Sequence, residues 1–159
     1  MIFTYQSIGT IHSFFEKKEG MPIQAAGSKG MKGTIEIEKE FLEGLSDLDG
    51  FSHIILIYAF HKSEGFELKV KPFLSENKCG VFSTRAPKRP NAIGISVVKL
   101  LSIKGNILEI ENTDILNGTP LLDIKPYIPE FDIHHVEKIG WLQNKISNIT
   151  EIKSDKRFQ

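Results

Sequence analysis

The chain has 159 residues, of which 20 are Lys or Arg and 20 are Asp or Glu, and 40% are hydrophobic. That length fits one domain able to bury a core without metal or disulfide staples, and zero net charge leaves no bulk field to draw in polyanions. A single cysteine, Cys79, excludes an intramolecular disulfide and a Cys-rich zinc centre, and the scattered histidines do not make a metal site.

The N-terminus "MIFTYQSIGTIHSFF" carries no basic leader ahead of a long apolar core. No apolar run approaches the roughly 20 residues a membrane helix needs, so the expectation is a soluble, cytoplasmic protein without a membrane partner. "FTYQSIGTIHS" is rich in β-branched and aromatic residues, and "GTIEIEKE" alternates Ile35 and Ile37 with charged neighbours; both predict strands. The stretch between them holds four glycines and one proline and keeps no period, which predicts a long loop of the functional kind.

Phe41, Leu42, Leu45 and Leu48 then fall at helical spacing before an Asp-Gly stop, predicting a short helix. "FSHIILIYAFHKS" is a nearly unbroken run of β-formers and predicts a central strand buried on both faces, with Phe51, Ile55 and Ile57 in the core. "FELKVKPF", "CGVFST", "AIGISVVKLLSI" and "NILEIENT" add further strands, the last two joined by a tight hairpin at Lys104, Gly105 and Asn106. So much sheet with so little helix is best buried by closing on itself. The predicted fold is mostly β: a small closed or nearly closed barrel with one short helix and long functional loops, over residues 1–142, followed by a tail at 143–159.

Two segments hide inside the neutral total. Residues 80–99 carry Arg85, Lys88, Arg89 and Lys99 and no acid, whereas residues 105–123 carry Glu109, Glu111, Asp114 and Asp123 and no base. Such strands commonly pair across a sheet, which would account for the pattern without any ligand. Pro87 and Pro90, however, lock two φ angles and bias Ala86 and Arg89 toward extended backbone, so the loop is stiff before a ligand arrives. Preorganised guanidinium groups lose less entropy on meeting a carboxylate or phosphate. Asn91 adds a neutral donor and acceptor, and Gly94 leaves room for close approach to the backbone. In "DILNGTPLLDIKPYIPEFD" an Asn-Gly turn and three further prolines again stiffen a span bearing Asp114, Asn117, Asp123, Lys125 and Tyr127. That mixture of acceptors, a cation and an aromatic face suits a nucleotide.

Taken together, "LDGFSHIILIYAFH", "GVFSTRAPKRPNAIG", "NGTPLLDIKPYIP" and "VEKIGWL" resemble the TsaA-like, or tRNA methyltransferase O, family over residues 5–142. The resemblance implies a barrel that binds S-adenosyl-L-methionine, and a homodimer whose cofactor sites draw on both subunits. It implies methyl transfer to the exocyclic nitrogen of threonylcarbamoyladenosine beside the anticodon of tRNA. Carried over by position, it implies cofactor neighbours at Gln24, Ala25, Ala26, His61, Lys62, Arg85, Ile95, Asp114, Ile115, Leu116 and Asn117. Ile23 and Ala25 stand where the family has Arg and Pro, and Asn117 where it commonly has Asp. For catalysis the expected residues are Arg89 and Lys125, holding the anionic substrate, and Asp123 or Tyr127 taking the proton from its nitrogen. Methylation of another RNA or a small molecule, and S-adenosyl-L-methionine binding without catalysis, are the alternatives.

Overall fold

The computed structural model describes residues 1–21, 27–143, 145 and 154–155. Alternation of side chains is what lets the sheet close. In β1 (Gly9–His12), β2 (Lys32–Ile37), β3 (His53–Ala59), β6 (Ile93–Lys104), β7 (Ile107–Glu111) and β8 (Thr119–Pro126), every second residue points inward. These six strands form a closed barrel in the order β1-β2-β7-β6-β3-β8, every neighbour antiparallel. Ile11, Ile35, Ile54, Leu56, Val98, Leu108, Ile110 and Leu121 fill it and are fully buried. A barrel this narrow is packed solid, so a ligand must sit at its rim or on its outer face.

Strands β4 (Lys69–Val70) and β5 (Cys79–Gly80) pair separately as a short ribbon, and Val70, Val81 and Ala86 make a second small apolar cluster with Phe73. That ribbon roots the proline-rich loop. The long strands read from "FELKVKPF" and "CGVFST" therefore shrink to two residues each, because the chain turns into a 3₁₀ segment at Val81–Ser83.

Other differences have equally local causes. The first strand begins only at Gly9, just after Ile8, whose N donates to Leu121 O at 2.8 Å and whose O accepts from Glu38 N at 3.0 Å. The predicted helix is two 3₁₀ segments, Lys39–Leu45 and Leu48–Gly50; Phe41, Leu42, Leu45 and Leu48 still pack on the core. β3 is not buried on both faces in the single chain: Ile54, Leu56 and Tyr58 point in, while Ile55 and Ile57 lie outward and half-buried. The span that the prolines stiffen is itself a strand, β8, with Pro120 near its start and Pro126 at its end, where a missing N–H disturbs the ladder least. The hairpin between β6 and β7 turns at Gly105, which takes φ +61°.

Candidate functional site

The proline-rich loop is braced from within. Thr84 Oγ1 donates to Val81 O at 2.8 Å and accepts from Ala86 N at 3.3 Å, and Arg89 Nη1 donates to Thr84 O at 3.1 Å and to Ala86 O at 3.4 Å. Charge pairing across the sheet accounts for only part of the opposed segments: Lys99 Nζ lies 3.9 Å from Glu111, and Lys104 Nζ 3.1 Å from Glu109. Among the described residues no carboxylate comes within 4.0 Å of the charged nitrogens of Arg85, Lys88 or Arg89.

Arg85 and Arg89 border a cleft of about 1230 Å³, large enough for a nucleoside-sized ligand and more. It runs from one end of the barrel onto the outer face of β6. Arg85, Arg89, His61, Lys62, Asp114 and Leu116 all line it, as do Ile115 and the outward Ile95. Sequence positions from four separate stretches thus converge on one cavity. A smaller hollow of about 500 Å³ elsewhere is walled by Glu36, Glu38 and Glu40, with Lys39 as its one cation, and is a poor host for an anion.

At the barrel end of the cleft lies a buried polar relay. Ser96 Oγ donates to Asp114 Oδ1 at 2.8 Å, and its lone pair takes the Tyr58 hydroxyl at 3.0 Å. Burial pushes the Asp114 carboxyl above its ordinary value of 3.8, against the Ser96 hydrogen bond and the attraction of Arg85. Burial, and then the charge of Asp114, push the Tyr58 phenol up as well, so it stays a donor. The Tyr58 ring stands edge-on to Phe60, with centroids 5.5 Å apart, and occupies the space Gly94 leaves open. The absent side chain at Gly94 thus admits tyrosine rather than ligand.

His61 Nδ1 is 3.4 Å from Thr119 Oγ1, whose own proton goes to Leu116 O at 2.7 Å. With its proton so engaged, the Thr119 oxygen is left to accept from a protonated Nδ1. Burial first, then the neighbouring Lys62, hold the imidazole below its ordinary value, so it is neutral at pH 7. Lys62 Nζ donates to Glu16 O at 3.3 Å, and Lys18 Nζ to Lys62 O at 2.6 Å. Burial and the nearby Lys88 lower Lys18, which places Lys18, Lys62 and Lys88 in one positive field.

Asn117 does not line the cleft. Its Oδ1 accepts from Ser13 N at 3.3 Å, its Nδ2 donates to Glu16 Oε1 at 2.9 Å, and Gly118 takes φ +75° beside it. It therefore fixes the turn that presents Asp114, Ile115 and Leu116. Asp123 and Lys125 are also outside the cleft: they form a 2.7 Å ion pair on the outer face of β8. Tyr127 follows that strand, edge-on to His53 at 6.4 Å. Gln24, Ala25 and Ala26 lie outside the described residues.

Sequence reasoning missed Tyr58 and Ser96. Ser96 had left a readable signal, a hydroxyl in the inward phase of "IGISVVKLL". Among the described residues no group of His, Cys, Asp and Glu could hold a metal ion, and no helix is long and apolar enough to cross a membrane.

Comparison with known proteins adds names to this geometry. A family model described as the tRNA-methyltransferase O N-terminal domain matches residues 10–133. A probable S-adenosyl-L-methionine-binding protein of Pyrococcus abyssi is 52% identical over 158 residues, covering 99% of this chain and 86% of that protein. The human tRNA (adenine(37)-N6)-methyltransferase is 38% identical over 134 residues, covering 80% of this chain but only 30% of its own length. The crystal structure of TrmO from Pseudomonas aeruginosa superposes with a TM-score of 0.74 at 36% identity, covering 89% of this chain and 63% of that one.

Proposed function

The chain belongs to the tRNA-methyltransferase O family, and on that premise we propose that it is a cytoplasmic S-adenosyl-L-methionine-dependent methyltransferase. Its acceptor in this proposal is the exocyclic nitrogen of threonylcarbamoyladenosine beside the anticodon of tRNA. The observation that carries the proposal is the convergence of Arg85, His61, Lys62, Asp114 and Leu116 on one cleft that also contains cationic and aromatic surface.

The residues present fit the cofactor. Asp114 is a carboxylate that burial makes unfavourable, so a cationic ligand beside it relieves that cost. Phe60, Phe73 and Phe82 line the same cleft and give flat apolar surface for an adenine ring. Arg85, Asp114 and Leu116 would hold the cofactor, with His61 Nε2 as an acceptor for its polar edge. S-adenosyl-L-methionine supplies, when bound, a methyl group already activated by the adjacent sulfonium.

What the protein must add is position and proton handling. Threonylcarbamoyladenosine carries a free carboxylate between backbone phosphates, and Arg89 and Lys88 on the stiff loop have no carboxylate among the described residues to compete with such anions, while two carbonyls hold Arg89 Nη1 in place. Its ureido nitrogen has a delocalised lone pair, so a base must remove the proton. Asp123, or Tyr127 through a water, is assigned that task from a second subunit. The register supports this: Ile57 pairs with Ile95 and with Asp123, and Ile55 pairs with Val97 and with Lys125, so the rows are continuous across β6, β3 and β8. Ile95 is 54% exposed and Val97 38%, an apolar strip that also borders the cleft. Two copies packed on that strip bring Asp123 and Lys125 of one toward the cleft of the other.

Mass analysis of nucleosides from tRNA incubated with the protein and S-adenosyl-L-methionine tests the proposal. One added methyl on threonylcarbamoyladenosine is expected; methylation of tRNA lacking that group, or none at all, overturns it. For the shared site, mixing Arg85→Ala and Asp123→Ala proteins should restore part of the activity each lacks, and failure to do so returns the base to the same chain.

A further inference from the structure

The family match ends at residue 133, but the wall of the cleft does not. Trp141, Leu142, Ser154 and Asp155 line it as well. Two of these are fixed by directional bonds. Trp141 Nε1 donates to Ser83 O at 2.8 Å, on the 3₁₀ turn that opens the proline-rich loop. Ser154 engages residues 18–21 four times: its N donates to Met21 O at 2.7 Å, its O accepts from Gly20 N at 2.9 Å, its Oγ accepts from Met21 N at 3.0 Å, and its hydroxyl donates to Lys18 O. Lys18 and Met21 line the cleft too, and the chain runs on from Met21 toward Gln24.

These bonds have no part in holding the barrel. Neither Ser154 nor residues 18–21 belong to a strand ladder, and Met21, although buried, is in neither apolar cluster. Gly20 takes φ +82°, so residues 18–21 make a turn whose shape depends on what pins it. A single residue that satisfies four backbone groups of that turn fixes its position against the cleft. We infer that Trp141 and Ser154 act as a clasp that completes the adenosyl-ligand pocket within its own chain, with Ser154 the positioning residue that sets the wall at Lys18 and Met21, and Trp141 the anchor on the opposite loop. The inference rests on the proposal that the cleft takes an adenosyl ligand.

Trp141 is the only tryptophan, so its emission reports directly on the cleft. Full-length protein is titrated with S-adenosyl-L-methionine and with S-adenosylhomocysteine, following tryptophan fluorescence and calorimetry. Ser154→Pro removes the donor N–H and the hydroxyl together, and with them three of the four bonds, and should weaken both ligands about tenfold or more. Ser154→Ala should weaken them by a smaller factor, and Ser154→Thr, which keeps the hydroxyl, should bind as the parent does. Melting temperatures of all three should stay within about 2 °C of the parent, because the barrel ladder is untouched. Parent-like affinity in Ser154→Pro overturns the clasp while leaving the ligand assignment intact. A fall in melting temperature that tracks the loss of affinity also overturns it, since the residue would then be structural. If the parent itself binds neither ligand, both the clasp and the methyltransferase assignment fall.

Discussion

Substituting alanine for Gly94 puts the buried relay under direct load. Gly94 in β6 pairs with Tyr58 in β3, and an added Cβ would lie 2.5 Å from Tyr58 Cζ, 2.9 Å from Cδ2 and closer still to Cε2. Those are rigid ring atoms, so something must move. The ring has little freedom: Tyr58 is 6% exposed, packs edge-on to Phe60, and bonds Ser96 through its hydroxyl. Overpacking of a core costs about 1–3 kcal/mol, and a displaced hydroxyl forfeits roughly 1 kcal/mol more. A loss of about 2–4 kcal/mol is expected, which lowers the melting temperature by roughly 4–16 °C in a chain of this size. Urea denaturation and thermal melts measure it. The control is Tyr58→Val, which removes every ring atom involved; in that background Gly94→Ala should cost less than about 0.5 kcal/mol. A loss of equal size in both backgrounds, or a Gly94→Ala protein as stable as its parent, would refute the assignment of Gly94 to the ring.

Asp114 gives a pH signature of unusual sign. Its folded value lies above the ordinary 3.8, so between those two values the folded chain binds more protons than the unfolded one, and this group's contribution to stability declines as pH rises through that window. A cationic adenosyl ligand favours the carboxylate, so calorimetric affinity should climb with pH through the same window, and Asp114→Asn should flatten both trends. Arg89→Ala should lower methylation far more than cofactor affinity; equal losses would assign Arg89 to the cofactor. Arg89→Lys separates bracing from charge, because lysine cannot reproduce the fork that meets Thr84 O and Ala86 O. With about four rim cations (Lys18, Lys62, Lys88, Arg89) meeting phosphates, the log–log salt slope of tRNA binding should be about −3. A slope near −10 in filter binding would require a basic surface elsewhere.

The legible parts of the fold were those whose pattern is local. Ile35 and Ile37 in β2, and Leu108 and Ile110 in β7, announce their strands because apolar inward residues alternate with Glu36, Glu109 and Glu111 outward, whereas β6 is legible from its run of β-formers. β8 carries Pro120 and Pro126 behind an Asn-Gly turn, so its residues read as a stiffened polar span and its strand goes unnamed in the sequence. The site divides the same way. Arg85, Lys88 and Arg89 stand together in sequence and could be found together. Tyr58, Ser96 and Asp114 are separated by 38 and 18 residues and become a relay only through the register that sets β3 against β6. Asp123 and Lys125 were legible as chemistry but not as location, because the cleft spreads over the outer face of β6 and not over that of β8, two strands away.

The two halves of the cleft differ in sign for a physical reason. Asp114 is deep, where low polarity makes its charge costly, and Arg85 attracts it without closing to ion-pair distance. Lys88 and Arg89 stand at the rim, where water tolerates unpaired cations at little cost. A ligand carrying positive charge is therefore favoured inside, and one carrying negative charge is favoured outside. A sulfonium donor and an anionic nucleotide, both entering one cleft, are sorted by that gradient before any catalytic group acts, and reversing it with Asp114→Asn should cost the inner ligand affinity while leaving the outer one untouched.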